Sequence, residues 1–215
     1  MQRCALCQVH TKNSLCEGCQ TLIQAPVNPC HICAKPLLQA GQICGECRSD
    51  EPAFSQTICA AIYQPPVSVW IQQLKFGGRL DRARIMAEAL CNQLEDVDLS
   101  IPILPVPLHK KRLLSRGYNQ AYEVAKIIAA NQQRHIFDRH LVRTKHTAMQ
   151  AELHEKQRTA NVRAAFKVEQ PIDAPVVMVL DDVMTTGQTM RSVARCLIQS
   201  GVQQVIAVVF ARSDN

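Results

Sequence analysis

The sequence predicts an α/β protein: a parallel sheet covered on both faces, preceded by a small cysteine-rich module built around two metal ions. Three observations carry this. Continuous apolar runs such as Val176–Leu180 and Val205–Phe210 read as strands buried on both sides, the habit of parallel sheets. Stretches with helical spacing of apolar residues lie between such runs, which gives the alternation of a doubly covered sheet. Finally, eight of the eleven cysteines form four Cys-x-x-Cys pairs near the N-terminus. The chain has 215 residues, 47% of them hydrophobic and 20% charged, which excludes wholesale disorder. No apolar run reaches the roughly 18–20 residues of a membrane helix, and Met1-Gln2-Arg3-Cys4 opens no signal stretch, so the cytoplasm is the expected compartment.

In chain order, the pairs are Cys4/Cys7, Cys16/Cys19, Cys30/Cys33 and Cys44/Cys47. A reducing compartment argues against disulfides. Two thiolates two residues apart bite one ion, and two such turns complete a tetrahedral Cys₄ site, so four turns predict two structural zinc ions. Sequence order favours pairing neighbours and leaves an interleaved pairing open. The module is expected to span residues 1–52, too few to bury a useful core without metal, with 53–215 as a second unit. Loss of a ligand such as Cys7 or Cys33 should unfold the module and leave the rest folded. Cys59, Cys91 and Cys196 stand alone and read as core residues.

Beyond Pro52, residues 55–63 read as a strand stopped by Pro65-Pro66, and Val67–Phe76 as a helix broken by Gly77-Gly78. Ala83, Met86, Ala87, Leu90 and Leu94 repeat with helical period; Ile101–Val106 is a short strand closed by prolines. Ala121, Val124, Ala125, Ile128 and Ala129 form another helical stripe, and Leu141-Val142 a brief strand. After the strand 176–180, Met190, Val193, Ala194, Leu197 and Ile198 make a helix face ended by Gly201, and Val205–Phe210 closes the chain as a strand.

The chemistry lies in the string from Val177 to Thr189. A buried strand delivers Asp181 and Asp182 to its C-terminal edge, where open parallel sheets bind ligands. The loop that follows, with Thr185, Thr186, Gly187, Gln188 and Thr189, offers backbone N–H groups and hydroxyls to a monophosphate at a helix start. The two carboxylates suit vicinal hydroxyls, so the element reads as a ribose 5-phosphate cradle. Neither G-x-x-x-x-G-K-[ST] nor G-x-G-x-x-G occurs.

These thirteen residues resemble the phosphoribosyl-pyrophosphate (PRPP) motif of type I phosphoribosyltransferases. The chain as a whole resembles the ComF subfamily, competence-associated proteins with a cysteine-rich N-terminus on such a domain. Lys75 in Leu-Lys-Phe-Gly-Gly, Pro105-Val106-Pro107 and Arg116-Gly117-Tyr118-Asn119-Gln120 carry the likeness, as do Arg143, Gln150, Leu153, Arg158, Asn161 and Phe166. Tyr118 stands where many members have Phe.

The resemblance implies a type I phosphoribosyltransferase fold and a PRPP site, with Mg²⁺ accompanying the PRPP. It also implies transfer of the phosphoribosyl group to a nitrogen acceptor with release of pyrophosphate, and a link to natural transformation or the use of taken-up DNA. On this reading Asp181, Asp182, Arg158 and Arg112 are catalytic. Lys75, Lys110, Lys111, Arg112 and Arg116 join residues 181–189 in binding PRPP, and Asn119 fixes the loop. Residues 143–163 correspond to the family's closing loop, and the zinc module is the candidate hood over the acceptor.

The net charge of +6 lies beyond residue 52, since the charges of the first 52 residues cancel. Residues 109–163 hold twelve Lys and Arg against four Asp and Glu. That surplus suits PRPP and could also attract single-stranded DNA. The alternative reading is therefore a non-catalytic PRPP sensor, or an adaptor for single-stranded DNA or the DNA-uptake machinery. A homodimer is the expected assembly if one forms.

Overall fold

The structure is a computed structural model that describes residues 2–144 and 165–213. The cysteine-rich segment carries two short antiparallel strands, β1 (Gln2–Arg3) and β2 (His10–Thr11), and two short helices, α1 (Glu17–Gln20) and α2 (Gly45–Ser49). There follow β3 (Gln56–Ile62), α3 (Val67–Phe76), α4 (Asp81–Gln93), β4 (Ile103–Pro105), α5 (Lys110–Arg116) and α6 (Gln120–Gln132). The chain ends with β5 (Leu141–Arg143), β6 (Phe166–Val168), β7 (Val176–Met184), α7 (Gln188–Gln199) and β8 (Gln204–Arg212).

Four strands form one sheet in the order β3-β8-β7-β4, every pair parallel, as the apolar runs predict. Strand periodicity divides its side chains between two cores. Met178, Leu180, Ile206, Val208 and Phe210 pack with α3, α4 and α6; Val177, Val179, Val205, Ala207 and Val209 pack with Met190, Val193, Ala194 and Leu197 of α7. Every residue of the sequence-predicted helical stripes from 83 to 129 is buried, and all but Ala129 belong to the first core.

Around the ligand edge two boundaries differ from the sequence reading in ways that shape the site. The strand expected to stop at Leu180 runs on to Met184, because β8 also continues and pairs Asp181 with Val209, Val183 with Ala211 and Met184 with Arg212. The acidic pair therefore sits inside a strand. The basic stretch after β4 is helical from Lys110: His109 caps it through Nδ1, which accepts the Lys111 N–H at 3.2 Å. Gly117 ends it at φ 84°, a conformation that favours glycine.

The cysteine-rich segment straddles the edge strand β3. Ile62 N–H donates to the Gln24 carbonyl at 2.8 Å and Thr57 Oγ1 to the Ile32 carbonyl at 2.7 Å. Cys4 and Leu15 belong to the core on the α4 side, where Glu88 accepts from both the N–H and the hydroxyl of Ser14. Cys30, Cys33, Cys44 and Cys47 belong to the core on the α7 side. Its cysteines are thus part of both cores, so the segment and the rest of the chain share packed surface.

Candidate functional site

The cysteines form two groups, Cys4/Cys7/Cys16/Cys19 and Cys30/Cys33/Cys44/Cys47, with the sulfurs of each group within 4.8 Å of one another. Pairing is between neighbours in sequence. A tetrahedron with Zn–S bonds of about 2.3 Å has edges near 3.8 Å, and the Cys7–Cys16 and Cys33–Cys44 sulfurs lie 3.5 and 3.6 Å apart. Backbone N–H groups already point at sulfur: Cys16 N–H at Cys4, and Cys44 N–H at Cys30, at 3.4 and 3.3 Å. Burial pushes these two thiols up, but such N–H donors outweigh it and hold Cys4 at about 6 and Cys30 at about 7. Each group therefore fits a zinc ion, with one thiol already inclined to ionise.

At the C-terminal edge of the sheet lies a cleft of about 970 Å³, ample for a phosphorylated sugar. Its floor is the end of β7. Alternation along the strand sends Asp181 and Asp182 to opposite sides. Asp182 is 2% exposed and lies 2.9 Å from Lys75 Nζ at the end of α3, an ion pair by distance without hydrogen-bond alignment. Asp181 stays partly open to the cleft, and its Oδ1 accepts the Asp182 N–H at 2.9 Å. Burial, and then the charge of Asp182, push the Asp181 carboxyl up to about 7, with Lys75 opposing.

Thr185, Thr186, Gln188 and Thr189 line one wall, while Gly187 lines a small adjoining cavity. Gly187 precedes α7 at φ 73°; an added Cβ would meet only Met184 at 3.6 Å, so the glycine answers to conformation rather than crowding. Arg112 and Arg116, from one face of α5, form part of the opposite wall with Arg143 of β5. Burial, then the charge of Arg112, holds Arg143 below the ordinary arginine value, and Asp181 opposes this. Three guanidinium groups lining one cleft suit an anionic ligand.

The structure thus brings Lys75, Arg112, Arg116, Asp181, Asp182, Thr185, Thr186, Gln188 and Thr189 to one cleft. It does not bring Lys110 and Lys111 there: both are exposed on α5, and Lys110 borders a separate groove with Leu113 and Tyr122. A helix turns only part of a consecutive basic run inward, which a loop reading could not foresee. Arg158 and residues 145–164 lie outside the described residues. Asn119 performs the expected fixing role, its Nδ2 donating to the Val106 carbonyl at 3.0 Å and its Oδ1 accepting the Ala121 N–H at 3.1 Å.

Among the described residues, none of the cysteine-rich segment, the expected hood, lines the cleft. Phe76 lines the cleft, 79% exposed, with the Arg116 guanidinium 5.3 Å from its ring centroid. Phe76 follows Lys75 directly, and an apolar residue beside a site lysine was the available signal. Arg212 was also missed: it is fully buried and donates to the carbonyls of Met184 and Thr185.

Residues 113–215 match the family described as phosphoribosyl transferase domain. Over the whole chain the sequence is 32% identical to Competence protein F of Haemophilus influenzae, covering 98% of this chain and 97% of that protein. It is 28% identical to DNA utilization protein YhgH of Salmonella typhimurium, covering 94% and 93%, and 21% identical to Competence protein ComFC of Bacillus subtilis, covering 92% and 83%.

Proposed function

We propose that this chain, which belongs to the ComF family of competence and DNA-utilisation proteins and carries a phosphoribosyltransferase domain, binds PRPP in the cleft and transfers its phosphoribosyl group to a nitrogen acceptor. The observation that carries the reading is the meeting of an acidic pair, a hydroxyl-rich loop at a helix start and three arginines around one cleft. PRPP asks for hydroxyl acceptors, a monophosphate nest and a strongly positive wall together.

On this reading residues 185–189 hold the 5-phosphate, Asp181 accepts from the ribose hydroxyls, and Asp182 is fixed by Lys75 as the second carboxylate of the floor. Arg112, Arg116 and Arg143 face the pyrophosphate. As the nitrogen lone pair forms its bond to C1, the C1–O bond breaks and its electron pair leaves with pyrophosphate. The arginines stabilise that growing charge, and the carboxylates favour the oxocarbenium-like centre opposite. The partly open carboxylate of Asp181 is a hard oxygen donor of the kind Mg²⁺ takes; together with diphosphate oxygens of the ligand it would hold the ion, which would supply charge neutralisation. The acceptor enters past Phe76. Residues 1–52 are the metal-bound module and 53–215 the transferase unit.

Titration calorimetry with PRPP, with and without Mg²⁺, tests binding. Pyrophosphate release against a panel of nitrogen acceptors tests transfer. Asp181→Asn with Asp182→Asn should abolish PRPP binding in a folded protein; unchanged affinity removes the ribose-cradle reading. PRPP binding with no release for any acceptor would favour the sensor, a reading that the relatives' names, which speak of competence and DNA utilisation and not of transfer, also admit.

A further inference from the structure

Arg212, the last residue of β8, is 1% exposed. Among the described residues no carboxylate lies within ion-pair distance of it. Its hydrogen bonds go to backbone carbonyls instead. Nε donates to Cys33 at 2.9 Å, and Nη1 faces the carbonyls of Met184 at 3.0 Å, Thr185 and Ser213. Cys33 belongs to the second four-cysteine group, while Met184 and Thr185 open the hydroxyl-rich loop. One side chain thus joins the metal-binding turn to the loop. A loop that needed only cover could rest on leucine; a guanidinium this deep is costly and holds particular carbonyls in particular directions.

Those directions matter. A trans peptide is planar, with its C=O and N–H opposed. Holding the carbonyls of Met184 and Thr185 turns the N–H groups of Thr185 and Thr186 to the other side of the chain. Both threonines line the cleft. A second arginine makes the same connection at the far end of the loop. Arg191, in the first turn of α7, donates through Nη1 to the carbonyl of Asp50 at 2.6 Å and to its Oδ2 at 3.1 Å, and its Nη2 lies 4.0 Å from Cys47 Sγ. The start of the loop and the helix that ends it are therefore both moored to residues of the second cysteine group or its border.

We propose that Arg212 is a positioning residue that pre-orders the N–H groups of the phosphate loop, and that the second cysteine centre, with zinc bound, is the anchor it works from, so that zinc there and phosphoester binding in the loop favour each other. This rests on the reading of residues 185–189 as the phosphate site. Zinc fixes Cys33 and Cys47 through sulfur, which leaves the Cys33 carbonyl at a set place for Arg212. Coupling between two sites is reciprocal and commonly amounts to about 5–150-fold in affinity.

The test uses the full-length zinc-loaded protein with PRPP as the probe, and three readouts: PRPP affinity, chelator-driven zinc release, and backbone amide exchange in residues 184–189. In the wild type, PRPP should slow release of one zinc equivalent and not the other. Arg212→Lys keeps the charge and loses the planar fork. It should retain both zinc ions, bind PRPP about tenfold or more weakly, exchange faster at 184–189, and lose the effect of PRPP on zinc release. A folded Arg212→Lys with wild-type affinity and exchange overturns the proposal. If Arg212→Lys does not fold, wild-type protein depleted of one zinc equivalent decides: faster exchange at 184–189 supports the coupling and an unchanged rate overturns it. If the wild type does not bind PRPP, the phosphate-site reading falls with the ligand half of the proposal, and the exchange comparison alone judges whether Arg212 orders the loop.

Discussion

Neighbouring side chains leave a strand on opposite faces, so Asp181 and Asp182 meet the cleft from two sides with different duties. Asp182 is buried against Lys75. Removing one partner of a buried pair strands the other, at a cost of about 3–5 kcal/mol. Lys75→Met should therefore destabilise the protein by roughly that amount in urea unfolding, and adding Asp182→Asn should recover most of the loss without restoring PRPP binding. A Lys75→Met protein of wild-type stability would show that the pair contributes nothing. Asp181 differs in that burial and its neighbour raise its pKa to about 7. Its folded value exceeds the unfolded one, so its contribution is fully present below about pH 4 and is lost as pH rises toward 7. In magnesium-free buffer without ligand, Asp181→Asn should gain stability over the wild type above pH 7 and show no gain below pH 4. A gain that does not vary with pH would locate the effect elsewhere than in this ionisation.

Among the elements, α5 decides which positive charges count. The sequence offers Lys110, Lys111 and Arg112 together, with Arg112 the better bidentate partner; the helix brings Arg112 to the cleft and leaves both lysines exposed. Arg112→Ala should weaken PRPP binding by about tenfold or more, the scale of a lost charge-assisted hydrogen bond, whereas Lys111→Ala should change it by no more than about twofold. Equal losses in calorimetry would mean that charge acts through the general field and not through placement. The next helix, α6, begins at Asn119, which both caps it and holds the Val106 carbonyl at the end of β4. Asn119→Ala should cost about 1–2 kcal/mol of stability by denaturant unfolding, and the cleft should loosen with it, because Arg116 and Asn119 flank the same turn. The capping role of Asn119 was open to sequence reasoning, since an Asn before a helical stripe is a cap signal. The inward turn of Arg112 was not, because α5 has no buried residue whose pattern would reveal which face meets the cleft.

Across the whole molecule, the two metal-binding groups differ in depth. Cys7 is exposed, while Cys33 is buried in the core that also holds β7, β8 and α7. Purified reduced protein should contain two zinc ions by elemental analysis, and less than one equivalent would remove the metal reading. Cys7→Ser should loosen the first group with little effect on cooperative unfolding of the rest. Cys33→Ser should lower the stability of the whole chain, seen as a shift of the main thermal transition; identical shifts for the two variants would show that depth does not matter. Local spacing was enough, in the sequence alone, to determine the four metal-binding turns, the alternation of strands and helices, and the acidic strand end with its hydroxyl loop. These rest on periods of two, three and four residues that any short stretch displays by itself. Only the tertiary structure decided that the cysteine-rich segment clasps the edge strand, that β7 runs on through its carboxylates, and that Arg212 ties Cys33 to Thr185 across 179 and 27 residues of chain. Contacts at such separations depend on how the layers pack, and no local pattern encodes them.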